Sequence, residues 1–138
     1  MKVRWFAAAA PPLMLAGLLS TAGAAQAQVT NGCRAHGLLA SCSYGLHLTR
    51  PLHIHVHGRA TPRQRERIAW VLRCEKGTRT SARHFGSVSA VTPIRFTVAH
   101  PYKRPDSCQM KVRVSIDTHG HIRSWVTYSQ WTPGARKG

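Results

Sequence analysis

Acidic side chains are nearly absent: the chain of 138 residues has four, Glu66, Glu75, Asp106 and Asp117, against 20 lysines and arginines, for a formal charge of +16. Hydrolysis by paired carboxylates needs two of them converging on a cleft, and Asp106 and Asp117 stand at opposite ends of one strand-like segment. Other catalytic signatures are missing as well. There is no Gly-x-Ser-x-Gly elbow, no His-Glu-x-x-His helix and no glycine-rich phosphate loop. Cys-x-x-Cys pairs, the usual spacing of a structural zinc, do not occur. Beyond Ala27 no apolar run approaches the ~20 residues that cross a bilayer. Helical periodicity is lacking too, with Arg63 to Arg67 the only segment that reads as a helical turn. These absences point to a chain that is not an enzyme, has no resident cofactor and has no transmembrane segment.

The start of the chain is of another kind. Met1-Lys2-Val3-Arg4 is a positive head, Trp5 to Leu19 is apolar, and Ala25-Gln26-Ala27 is a small-x-small cleavage site, so residues 1–27 read as a secretory leader. Its removal leaves 111 residues, with 18 basic side chains against four acidic and a charge of +14. That length is one small domain, expected to be monomeric and either extracellular or periplasmic. Cys33, Cys42, Cys74 and Cys108 all fall in the exported part, where two disulfides are the expectation. Of the three pairings available, Cys33–Cys42 and Cys74–Cys108 are favoured. The first closes an N-terminal segment, 28–46; the main body runs over 47–131, and 132–138 is a basic tail.

Apolar and polar residues alternate in the second half of the chain. From Cys108 to Asp117 every even position is apolar, which marks a strand with one buried and one wet face. Leu52–His57, Ile68–Cys74 and Ile94–Val98 follow the same parity. Asp117 to His121 is polar with a glycine, so Ile122–Tyr128 is expected to return as the hairpin partner of the Cys108 strand. Residues 58–62, 77–86 and 99–107 read as loops. Five or more short strands predict an all-β sandwich or barrel, and the cysteine positions favour the sandwich. Cys74 and Cys108 share the apolar parity of their strands, so a bond between them is expected to bridge two sheets, as in an immunoglobulin-like sandwich, with Trp70 packed nearby.

The succession Arg50-Pro51-Leu52-His53-Ile54-His55-Val56-His57-Gly58, Trp70-Val71-Leu72-Arg73-Cys74-Glu75-Lys76-Gly77, Thr92-Pro93-Ile94 and Pro105-Asp106-Ser107-Cys108 resembles small exported bacterial proteins with one immunoglobulin-like domain. The resemblance spans roughly Cys33 to Tyr128. It implies an antiparallel immunoglobulin-like β-sandwich stapled by disulfides and brings no catalytic residues with it.

Two groups of residues carry chemistry. His53, His55 and His57 line one face of a strand, where neighbouring members lie close enough for two to share a zinc or copper ion. His47, His119 and His121 are the candidate further ligands. Alternatively, histidine is simply the polar half of an amphipathic strand, titrating between pH 5 and 8. The second group is basic: Arg59, Arg63, Arg65 and Arg67 cluster before Trp70, while Arg73, Arg95, Lys111, Arg113 and Arg123 project from wet strand faces. Arg63, Arg65, Arg67, Arg73, Lys111, Arg113 and Arg123 are the expected contacts to an anionic polymer such as nucleic acid, acidic polysaccharide or envelope polymer. Trp125, of the same parity as Arg123, is expected either exposed near Lys111 and Arg113, as a stacking ring, or covering a sheet edge. Two minor readings complete the set. One is a protease inhibitor presenting the segment from Arg34 to Ser41 as a rigid loop; the other is a ribonuclease using two histidines and a lysine.

Overall fold

Strands form where the alternation places one apolar face, and they run longer than the apolar stretches alone suggest. The computed structural model describes residues 28–133; the expected leader and the last part of the basic tail lie outside the described residues. The elements are β1 (Gln28–Leu38), β2 (Ser41–Thr49), β3 (Pro51–Thr61), β4 (Arg65–Lys76), β5 (Arg79–Thr80), β6 (His84–Val91), β7 (Ile94–Val98), β8 (Ser107–Ile116) and β9 (His119–Gln130). Among the described residues there is no helix.

The strands form two antiparallel sheets. Sheet A has the order β1-β9-β3-β7; sheet B runs β2-β8-β4, with β5 and β6 both along the far side of β4. Even-numbered side chains of the central strands meet between the layers. Leu48, Ile54, Val56, Ile68, Leu72, Met110, Val112, Val114, Ile122 and Val126 are all buried there. Each such side chain contributes about 1.5–3 kcal/mol by leaving water. The fold is therefore a two-layer β-sandwich.

Polar groups also cross the core. The Tyr44 hydroxyl lies 3.1 Å from Ser124 Oγ, joining β2 to β9, and Ser124 Oγ donates to the His57 carbonyl at 2.7 Å. Burial pushes the Tyr44 phenol up to about 12. Glu66 points inward from β4 and is fully buried, with neither carboxyl oxygen hydrogen-bonded among the described residues. Gly58 of β3 makes room for it, since a Cβ at that position would overlap Glu66 Oε1 and lie 2.7 Å from Ile68 Cδ1. Burial raises this carboxyl to about 7.

Both expected disulfides are present, with their roles exchanged. Cys74 and Cys108 face each other across neighbouring strands β4 and β8 of sheet B, with Cα atoms 4.0 Å apart, so this bond staples one sheet and bridges none. Cys33 on β1 and Cys42 on β2 supply the link between sheets. Parity assigned both Cys74 and Cys108 to the inward side correctly, but strands of the same sheet share that side as well. With the bridging bond gone from this position, the support it lent to an immunoglobulin-like order is gone too. The last two strands of such a domain are sheet neighbours, whereas here β8 and β9 lie in opposite layers.

That placement also overturns the expected hairpin. The Asp117–Thr118 link carries the chain from one sheet to the other, so the apolar faces of β8 and β9 are presented to a common core instead of lying side by side. Three local readings change as well. Gly58–Thr61 extends β3, His84–Gly86 opens β6, and Arg65–Arg67 begins β4 with no helical turn. In the N-terminal segment 28–46, β1 is an edge strand of sheet A and β2, which begins there, an edge strand of sheet B.

Candidate functional site

Alternation sends the odd-numbered side chains of β3, β7 and β9, and the even-numbered ones of β1, to the outer face of sheet A. Register then decides who meets whom. Arg34 on β1 pairs with Arg123 on β9, and Arg123 pairs with Arg59 on β3, so three arginines stand in one row across three strands. Adjacent strands are about 4.8 Å apart, and like charges directly opposite one another are destabilising. The next row sets His36 opposite His121, whose rings stack with centroids 5.4 Å apart. Arg34, His36, Arg59, Thr61, His121 and Arg123 surround a shallow cavity of about 600 Å³. No carboxylate opposes them on this sheet: Glu66 and Glu75 belong to β4, Asp106 precedes β8, and Asp117 lies between β8 and β9.

On the other side of the arginine row lies Trp125, opposite His57, which is in turn opposite Arg95 of β7. The His57 ring stacks on the indole at 5.0 Å with the planes 2° apart, and the Arg123 guanidinium lies 5.2 Å from the indole centre. Trp125 is half-buried by these neighbours and is no free platform for a base. It also lies on the opposite face of the sandwich from Lys111 and Arg113, contrary to the expected grouping.

The His53, His55 and His57 side chains point the same way but hold different partners. His55 Nδ1 shares a 3.0 Å hydrogen bond with Thr97 Oγ1, and His57 Nε2 shares one of 2.9 Å with Thr127 Oγ1. His53 stacks loosely on His55, with centroids 6.4 Å apart. His47 is on β2 in the other sheet, and His121 pairs with Thr61, at the far end of β3 from His53. Among the described residues, no three His, Cys, Asp or Glu side chains come together in a metal-binding group. Desolvation, with Arg95 adding to it, holds the His55 and His57 imidazoles below the ordinary histidine range.

The expected polyanion contacts are divided between two faces. Arg67, Arg73, Lys111 and Arg113 project from the outer side of sheet B, with Arg65 at the start of β4 and Arg63 in the link before it; Arg123 alone is on sheet A. Sequence reasoning missed Arg34 and His36, which it placed in a loop. The signal was available: Cys33 and Ala35 are the partly buried half of an alternation whose other half is Arg34 and His36. That same strand leaves only Leu39 and Ala40 between β1 and β2, so the segment from Arg34 to Ser41 is mostly strand. Trp131 is held at one end of the sandwich, its Nε1 donating to the Pro105 carbonyl at 3.3 Å with Arg50 against its ring.

Compared with protein-family models, with curated protein sequences and with solved structures, the chain matches none of them. The geometry of its own side chains is therefore what bears on function.

Proposed function

We propose that this protein is an exported, non-enzymatic binding module that holds an anionic polymer on the outer face of sheet A. The observation that carries the reading is the row Arg34–Arg123–Arg59, three guanidinium groups set directly opposite one another with no carboxylate on the sheet. Such a row costs stability in the free protein and is offset when an oxyanion takes the charge. Arginine suits the task because its planar fork binds phosphate or sulfate oxygens in pairs. The two disulfides fit an oxidising compartment.

The ligand is read by charge and spacing, because the indole that would stack on a base is already occupied by His57 and Arg123. Heparin and duplex DNA are both expected to bind, with affinity falling steeply as salt rises. Replacing Arg34, Arg59 and Arg123 together by Gln is expected to reduce the slope of log affinity against log salt on DNA by about 3, since each lost phosphate contact removes about 0.9. An unchanged slope in that triple variant sinks the reading.

A further inference from the structure

β6 is a free edge of sheet B. It pairs with β4 from Arg65↔Val91 to Leu72↔His84, and no strand among the described residues lies along its other side. From Phe85 to Val91 it reads Phe-Gly-Ser-Val-Ser-Ala-Val, without a charge or a proline. Edge strands are ordinarily guarded by lysine, proline or a bulge. In a chain of formal charge +16, this strip is left bare. Apolar surface is exposed here, as it is at Leu38 and Leu39 where β1 turns into β2: Phe85 is 79% exposed and Val91 47%, with Val71 at 39% directly opposite Phe85 on β4. A groove of about 940 Å³ runs beside Val71 and Phe85, over Ala69 and Ser87, with Lys111 and Arg113 on its inner side. β2, the opposite edge of the sheet, likewise has no lysine or arginine, but it turns Ser41, Ser43, Gly45 and His47 outward and is tied to β1 by Cys33–Cys42.

We propose that two copies of the chain pair antiparallel along β6, giving a symmetric dimer with one continuous sheet in place of the monomer expected from length and charge. The occupant follows from self-complementarity. Residues directly opposite in an antiparallel pair share a face. Centring the two-fold on Val88 sets Phe85 against Val91 of the partner subunit and Ser87 against Ser89 of the partner subunit. One isologous contact thus covers both exposed apolar side chains of both copies. Charge selects the same approach. Two strongly cationic molecules repel, and β6 itself sets no cation opposite another: Arg83 falls beyond the paired segment, and Arg65 and Arg67, opposite Val91 and Ser89, stand one strand back on β4. The surface belongs to sheet B, so the proposal stands apart from anion binding on sheet A.

The test is sedimentation equilibrium on the disulfide-bonded protein, freed of nucleic acid, over about 5–300 µM, the range in which a small interface associates. The weight-average mass is expected to climb towards that of two chains. Ser87→Lys/Ser89→Lys places like charges opposite each other twice and is expected to weaken the dimer by about tenfold or more. Ser87→Lys/Ser89→Glu places opposite charges in the same register and is expected to keep or tighten it. Both serines are exposed, and unchanged melting of the variants shows that the fold survives. A single-chain mass at every concentration overturns the proposal. So does a dimer indifferent to both variants, or one lost equally in both. Heparin retention of the Ser87→Lys/Ser89→Glu protein, whose net charge is unchanged, is expected to match the parent's.

Discussion

The two outer faces of this sandwich are built from the same alternating strand and end up different. Sheet A presents Arg34, Arg59, Arg95 and Arg123 with His36, His55, His57 and His121, and no acid. Sheet B also carries cations, but Glu75 lies on it, and between Lys111 and the free edge it shows Val71 and Phe85. The disulfides follow the same division: Cys74–Cys108 lies wholly within sheet B, while sheet A has a bond only at its β1 edge, shared with β2. The lesson is that net charge does not define a site. Both faces are basic, but register sets three like charges in one row on sheet A, whereas on sheet B it opposes a single pair, Lys76 and Arg79, at the β5 end.

The largest expected effect tests how far sheet B depends on its own staple. With Cys74 and Cys108 34 positions apart, the loop-entropy relation gives about 3.8 kcal/mol for that bond; for Cys33 and Cys42, nine apart, it gives about 2.6 kcal/mol. Urea denaturation of Cys74→Ala/Cys108→Ala should therefore show the greater loss. A greater loss in Cys33→Ala/Cys42→Ala would mean that joining the sheets outweighs loop length.

Glu66 comes next, the buried acid of sheet B lying against Gly58 of sheet A. Its carboxyl titrates near 4.5 in the unfolded chain and at about 7 in the folded protein. Between those values the unfolded state releases its proton first, so it binds fewer protons and stability falls as pH rises, by about 3 kcal/mol in all. Above pH 7 the deficit stays constant; below 4.5 it vanishes. Glu66→Gln is expected to melt higher than the parent at pH 8 and to match it at pH 4. Equal melting at both pH values would show that the carboxyl is not sequestered between the sheets.

The faces themselves are compared by moving the arginine triple. Arg67→Gln/Arg73→Gln/Arg113→Gln removes as many charges from sheet B as the Arg34, Arg59 and Arg123 triple removes from sheet A. Heparin affinity near 0.15 M salt is expected to fall less than about threefold in the first, because dispersed charge acts mainly at long range, where salt screens it. Equal losses in the two triples would erase the distinction drawn between the faces. The smallest effect concerns pH. His55 and His57 stay neutral to lower pH than ordinary histidines, so binding should strengthen only about two- to threefold on acidification, and mainly below the ordinary histidine range. In His55→Gln/His57→Gln that added gain should be absent, as read by isothermal titration at pH 5 and pH 7.

Much of this molecule was legible locally. Alternation assigned Ile54, Val56, Ile68, Leu72, Met110 and Val112 to the core and His53, Arg73, Lys111 and Arg113 to water, and burial agrees at each position. The half-buried tryptophans show the limit: Trp70 had the right parity, yet it packs against Gly86, in the part of edge strand β6 that was read as a loop. The row of arginines was not legible, because Arg34 and Arg123 are far apart in the chain and no local pattern connects them.

The sequence by itself determined which side of each strand is wet, since successive side chains must point to opposite sides of an extended backbone. The favoured cysteine pairing is the one present, although the bridge between sheets expected of Cys74–Cys108 is not. Only the tertiary structure decided which strands share a layer: whether β9 folds back beside β8 or crosses to face it depends on how both apolar faces are closed against one core. Inward parity looks the same in either arrangement. For that reason Cys74–Cys108 proved to be a staple within a sheet, and Arg34, Arg59 and Arg123, drawn from three distant segments, became neighbours.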